Sequence, residues 1–294
     1  MKKRCFVHRP FLAAGTLLLL VAACSQQREP DNGATPEITE MAMANCMYPA
    51  SSEPAIDLTP HEMDEDTGNF EISEFAANVR TSAGAISSRS VNIIENDHFC
   101  LLRERAEDIA SAQNCTASVA ALKIIFGLTP DLKKVELVYQ PVSLCLTQLS
   151  GNTATFSVQE GSSPQYYTYD PGGFSSGANL VAAQRYREAS RMKHRTGTAF
   201  RSFVQDTNVV SIIFSFQEIG KLIDDNSQDK VVVWNALTKK VVSAGDSLHY
   251  HTLLMGASDL TGPQKMLGAF THRFANLAHL CPPNCVTLNF RMTY

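Results

Sequence analysis

Charge is scarce in this chain: Asp, Glu, Lys and Arg make up 18% of its 294 residues and leave a formal balance of −4. A weakly acidic surface excludes nucleic acid and anionic lipid headgroups as main partners, because both are met by clusters of cations. Also missing is any apolar run of the roughly 20 residues that a membrane-spanning helix needs. The run at residues 11–22 is too short for that. No phosphate-cradling glycine loop and no pair of catalytic carboxylates is present. Short motifs therefore name no reaction, although catalytic partners from distant positions can converge in space.

What is present begins at the amino terminus. Lys2, Lys3, Arg4 and Arg9 precede the apolar run, which closes on Val21-Ala22-Ala23-Cys24. The order of cations, apolar run and small residues before a cysteine resembles the lipobox of bacterial lipoproteins. The resemblance implies that Cys24 carries a diacylglycerol, that residues 1–23 are removed, and that the new amino terminus takes a further acyl chain such as palmitate. Several acyl chains together hold a protein to a bilayer. Ser25 follows the cysteine, and the lack of Asp there implies the outer membrane of the cell envelope. Removing residues 1–23 takes away those four cations and no carboxylate, so the mature balance is −8.

Six cysteines remain beyond Cys24: Cys46, Cys100, Cys115, Cys145, Cys281 and Cys285. An even number outside the cytoplasm predicts disulfides. A helix between Cys100 and Cys115 would hold them about 22 Å apart, beyond the roughly 7 Å that a disulfide spans between Cα atoms. Each therefore needs another partner, with Cys46 and Cys145 as candidates. Cys281-Pro-Pro-Asn-Cys285 either closes on itself, which is favoured, or its prolines hold the two thiols apart for separate partners.

Composition divides the rest. Residues 24–68, rich in Pro, Ser, Glu, Asp and Gln, read as a flexible tether. Residues 150–178, broken by Gly151, Gly161, Pro164, Pro171, Gly172, Gly173 and Gly177, read as a linker. The flanking stretches, 69–149 and 179–294 with its cysteine-containing tail, follow one plan. Ala76, Ala77 and Arg80 correspond to Ala182, Ala183 and Arg187. VNII from Val91 corresponds to VSII from Val210, LKIIFGLT from Leu122 to VVVWNALT from Val231, and VELVYQPV from Val135 to HTLLMGAS from His251.

Local signals fit α-β-α-β-β in each unit. Ser215-Phe216-Gln217-Glu218 is a capping box, after which Phe216, Ile219, Leu222 and Ile223 share a helical face and Asp224, Asp225 and Asn226 end it. Asn96 or Asp97 starts the equivalent helix, with Leu101, Leu102 and Ile109 inward. The fold class is thus α+β: two related units, each a small sheet covered by helices. Such a unit is similar to domains of uncharacterised, repeat-containing bacterial lipoproteins with a related strand pair and a late Cys-Pro-Pro-x-Cys, a resemblance that implies no reaction.

Four groups of residues invite chemistry. Gly245-Asp246-Ser247-Leu248 resembles the nucleophile motif of GDSL-type lipases and esterases, but the Asp-x-x-His that supplies their base does not follow, and a hairpin turn explains Gly and Asp equally well. His249 and His251 alternate on a strand and share a face, with His272, His279, Cys281 and Cys285 downstream as further metal-ligand types; hydrogen-bonded histidines near a disulfide are the alternative. Asp64, Asp66, Asn69 and Glu71 suggest a calcium loop, yet Asn69 and Phe75 stand where an EF-hand needs Gly and Glu, so a solvated acidic tether is favoured. Tyr166, Tyr167, Tyr169 and Phe174 either form a contact surface or pin the linker to the body. Phe126 and Trp234 read as core.

The expectation is a non-enzymatic envelope lipoprotein, held to the bilayer through Cys24 and touching another envelope protein or an extracellular ligand, with no cofactor and no nucleic acid. The competing expectation is a hydrolase or metal-binding protein using His249 and His251.

Overall fold

The structure, a computed structural model, describes residues 46, 53–57, 62–63, 65–86, 90–188, 192–196, 199–202, 211–226, 229–243, 246–257, 266–268, 280–281 and 287–292. In chain order, β1 (Glu62–Met63) leads into α1 (Glu65–Asn78), β2 (Val79–Thr81), β3 (Gly84–Ala85), β4 (Ser90–Glu95) and α2 (His98–Ala112). Then come β5 (Ser118–Leu128), β6 (Val135–Ser150), β7 (Thr153–Gln159), β8 (Tyr167–Asp170), β9 (Gly173–Ser176) and α3 (Val181–Arg187). They are followed by β10 (Met192–Thr196), β11 (Ala199–Ser202), β12 (Ser211–Ser215), α4 (Phe216–Asn226), β13 (Lys230–Ser243) and β14 (Asp246–Ala257). The last are β15 (Met266–Gly268), β16 (Leu280–Cys281) and β17 (Thr287–Arg291). The α+β class holds. No helix among the described residues is long and apolar enough to cross a membrane.

Pairing is antiparallel throughout the described sheets. One sheet runs β1-β15-β14-β13-β4; a larger one runs β16-β12-β5-β6-β7-β17, with the β8–β9 hairpin attached to β6; a small one runs β11-β10-β2-β3. These orders correct the picture of two units with a sheet each. β4, from the first unit, pairs with β13 of the second, and β12, from the second, pairs with β5 of the first.

The inner faces of both sheets share one core. Leu122, Ile124 and Phe126 on β5 meet Val231 and Val233 on β13, Leu253 and Met255 on β14, and Phe99, Leu102, Phe216 and Ile219 on α2 and α4. Alternation sends Ile125 and Val138 to the opposite face, where Ala183 of α3 covers them. Both faces of β5 are therefore buried, which is why its sequence is almost continuously apolar. Gly127 lets α3 sit this close, since a Cβ there would stand 2.7 Å from the Ala182 Cβ. On the other sheet Ala236 and Leu254 pack against Ile72 of α1 and Met63, with Trp234 half-buried beside them. Phe126 is core as expected; Trp234 lies on this outer face.

The predicted capping box forms: the Ser215 N–H donates to Glu218 Oε2 at 2.6 Å, and the Glu218 N–H donates to Ser215 Oγ at 3.1 Å. α4 buries Phe216, Ile219 and Leu222 and ends at Asn226. α2 starts after Asp97 without a side-chain cap bond, and it differs inward: Phe99, Leu102, Ala106 and Ala110 are buried whereas Leu101 is exposed. The apolar stripe is set by Phe99 and the small alanines, which let the helix lie close to β5 and β6.

Two disulfides are in place, Cys46–Cys100 and Cys115–Cys145, each with Cα atoms 5.4 Å apart. They match the requirement that Cys100 and Cys115 pair elsewhere. Cys285 lies outside the described residues, as does the side chain of Cys281.

Two segments expected to be loose are structured where described. Cys46 is bridged to α2, Ile56 is buried and bridges to Met292, and Glu53 sits in a polar latch. There Arg103 donates to Glu53 at 3.2 Å and to Glu107 at 2.9 Å, and the Ala120 N–H and Gln217 amide also donate to Glu53. Burial raises the Glu53 carboxyl above its ordinary value in spite of Arg103. The 150–178 stretch carries β7, β8 and β9; its glycines at positive φ, Gly151 and Gly173 among them, serve the turns between strands instead of ending order.

Candidate functional site

A cleft of about 540 Å³ opens where the two larger sheets approach each other without joining. Its walls come from Val91 and Asn92 of β4, the Thr129–Lys134 turn, Val135 to Val138 of β6, Thr168 and Tyr169 of β8, and the start of α3. Each wall has a local cause. The turn is shaped by the Thr129 hydroxyl and the Asp131 carboxylate, 2.6 Å apart, a bond that holds the Asp131 carboxyl below its usual range. α3 is opened by Asn179, whose Oδ1 accepts the Val181 N–H at 2.8 Å. Arg185 on α3 donates to the Leu128 carbonyl at 2.6 Å and reaches Glu136 at 3.4 Å, tying the helix to the β5–β6 hairpin.

At one end the gap between sheets is bridged. Tyr139 donates to Asn92 Oδ1 at 2.7 Å, and the backbone of Tyr139 pairs with Tyr167. The Tyr169 hydroxyl accepts the Glu95 N–H at 3.3 Å and lies 3.2 Å from His98 Nδ1. Burial raises both phenols, Tyr139 far and Tyr169 in spite of the Glu95 bond, so both are neutral hydrogen-bonding groups. The β8–β9 hairpin thus acts as a clasp. Tyr167 is buried, Phe174 packs edge-on to Tyr139 and Tyr169, and Tyr166 packs against the cluster of Ile125, Val138 and Ala183. Tyr166, Tyr169 and Phe174 are half-buried, so the group packs on the body and keeps part of its ring surface exposed.

His251 lies elsewhere, sealed beside the central core. Its Nε2–H donates to Asn235 Oδ1 at 3.0 Å, and its Nδ1 accepts the Tyr186 hydroxyl at 2.9 Å. Phe126 and Phe75 cover the ring at centroid distances of 4.3 and 4.7 Å. Burial pushes its pKa down to about 3 and raises the Tyr186 phenol. Both ring nitrogens are engaged, so His251 has none to offer a metal, the arrangement of a hydrogen-bonded core histidine. No group of three or more His, Cys, Asp or Glu able to hold a metal occurs among the described residues. The side chain of His249, and all of His272 and His279, lie outside them.

Ser247 falls at the start of β14, opposite Val241, just after the β13–β14 turn, and its side chain is outside the described residues. The strand pairing suits the hairpin explanation. Asp64 lies outside the described residues, while Asp66, Asn69 and Glu71 belong to α1, where Glu71 is buried and Asp66 and Asn69 are exposed, so these three form neither a calcium loop nor a tether.

Sequence reasoning missed the cleft because its lining is ordinary: a lysine, an arginine, amides, hydroxyls and the edges of strands. A usable signal was the Thr129-Pro130-Asp131 turn beside the cationic pair Lys133–Lys134 in an otherwise acidic chain. No protein-family model, no curated protein and no solved structure matches this chain.

Proposed function

We propose that the chain is a cell-envelope lipoprotein, tethered to the outer membrane through Cys24, that binds a partner and catalyses nothing. The observation that carries the binding reading is the cleft between the two sheets, walled by hydrogen-bonding groups and two cations. The Cys46–Cys100 and Cys115–Cys145 bridges support an oxidising compartment, in line with the lipobox-like Val21-Ala22-Ala23-Cys24. Feeding cells an alkyne fatty acid tests the anchor. Wild-type protein should be labelled and sediment with membranes, whereas Cys24→Ser should be unlabelled; equal labelling of the two would sink the anchor.

The same reading includes an internal repeat in which the first strand of each copy is exchanged. α1-β4-α2-β5-β6 and α3-β12-α4-β13-β14 follow one order, with β4 on β13 and β12 on β5. Such exchange accounts for one folded body with a shared core.

A further inference from the structure

We infer that the cleft takes an extended peptide segment carrying a carboxylate, which adds as a strand along the open edge of β6; this rests on the binding reading above. The first observation is that four consecutive residues, Val135 to Val138, line the cleft. Side chains alternate across a strand, and those of Val135, Leu137 and Val138 are buried, so four consecutive residues reach the cleft through the backbone edge of the strand.

The direction of the backbone groups follows from the ladder. The Thr129 N–H donates to the Lys134 carbonyl at 3.0 Å, and Leu128 is paired with Val135. Hydrogen-bonded and non-bonded pairs alternate in an antiparallel ladder, so Val135, Leu137 and Tyr139 turn their N–H and C=O away from β5. Tyr139 pairs there with Tyr167 of β8. The outward groups of Val135 and Leu137 have no partner among the described residues.

The facing wall is built alike. The Asn96 N–H donates to the Asp229 carbonyl at 2.9 Å, which by the same alternation turns Ile93 and Glu95 outward from β13. Glu95 gives its N–H to the Tyr169 hydroxyl, while Ile93 has no outward partner among the described residues and its side chain is 54% exposed. An unpaired strand edge in a cleft, here that of β6, is what strand addition uses: main-chain bonds give affinity and alternate side chains give selectivity.

Charge decides the kind of peptide. Lys134 and Arg185 line the cleft against one carboxylate, Glu136, which is already paired with Arg185. Lys134 makes no ion pair among the described residues, and beyond the attraction of the Asp131 carboxylate in its own turn it presents a cation to the cleft in a chain of negative balance. An acidic side chain or a peptide carboxy terminus complements it.

The probe is a random heptapeptide library panned on the full chain, with enriched peptides resynthesised. Enriched peptides should carry Asp, Glu or a free carboxy terminus, lose binding on alternate N-methylation, and bind Lys134→Glu about fivefold more weakly. Amide exchange supplies a second readout: bound peptide should slow the Val135 and Leu137 amides about tenfold while Glu136 and Val138, which face β5, are unchanged. Lack of enrichment, indifference to N-methylation, or slow exchange at Val135 and Leu137 before any peptide is added would each overturn the inference. The last result would mean that another part of this chain or a second copy already fills the edge. A benzophenone amino acid installed at Thr168 in cells separates the two levels. Capture of a partner without peptide binding would retain the binding reading and reject the peptide; failure of both would reject both.

Discussion

The niche around His251 and the cleft between the sheets invert what side-chain chemistry alone suggests. His251, with the most reactive side chain in the described core, has both nitrogens bonded and aromatic rings over it. The cleft has only common residues, yet there the backbone groups of Val135 and Leu137 and the Lys134 ammonium are unspent among the described residues. Reactivity is a matter of what remains available after folding, and a buried histidine that has satisfied both nitrogens is a structural element.

The largest expected effect is on the sealed side. His251→Ala leaves a cavity and strands the Tyr186 hydroxyl and the Asn235 amide, which should lower stability by about 3–5 kcal/mol. Denaturant titration measures this. A loss below about 1 kcal/mol would mean that the niche is not a sealed core.

Acid should act on the same residue. Above pH 6.5 the ring is neutral in folded and unfolded chains alike, but between 6.5 and about 3 only the unfolded chain takes the proton. The unfolded state is then favoured as pH falls, by about 1.4 kcal/mol per unit. Stability measured from pH 7 to 4.5 should therefore drop, with a shallower slope in His251→Asn; parallel slopes would remove His251 as the cause.

Gly127→Ala probes the wall that separates the two regions. The added methyl has to displace Ala182 and with it α3, costing about 1–3 kcal/mol as overpacking does. A melting temperature equal to wild type would show that α3 is not pressed onto β5. The smallest effect should come from Lys134→Glu at the exposed cleft turn, within about 0.5 kcal/mol of wild type. A larger loss would make Lys134 part of the fold and blur the contrast between the two regions.

Legibility in the sequence tracked the range of the forces involved. The capping box at Ser215 and Glu218, the strands rich in Val and Ile, and the need for Cys100 and Cys115 to find separate partners were readable, because each rests on spacing within a short stretch. The docking of Glu53 against Arg103 was not readable from a polar, proline-rich segment, since the latch joins residues 50 positions apart. Gly151 and Gly173 looked like part of a break and proved to serve the β6–β7 and β8–β9 hairpin turns, because positive φ serves either purpose. Leu101 faced outward for a related reason: the helix seats itself by the fit of its small residues against a sheet that the sequence does not display.

What the sequence determined by itself was therefore the local inventory: which stretches coil or extend, where α4 is capped, and which cysteines stand too far apart along a helix to be joined. Only the tertiary structure decided which strands exchange partners, that His251 is enclosed between Tyr186 and Asn235, and that β4 and the edge of β6 line a common cleft. The physical reason is that hydrogen bonds near in sequence and side-chain periodicity act over a few residues, while a strand edge is open or closed according to whether a distant segment reaches it.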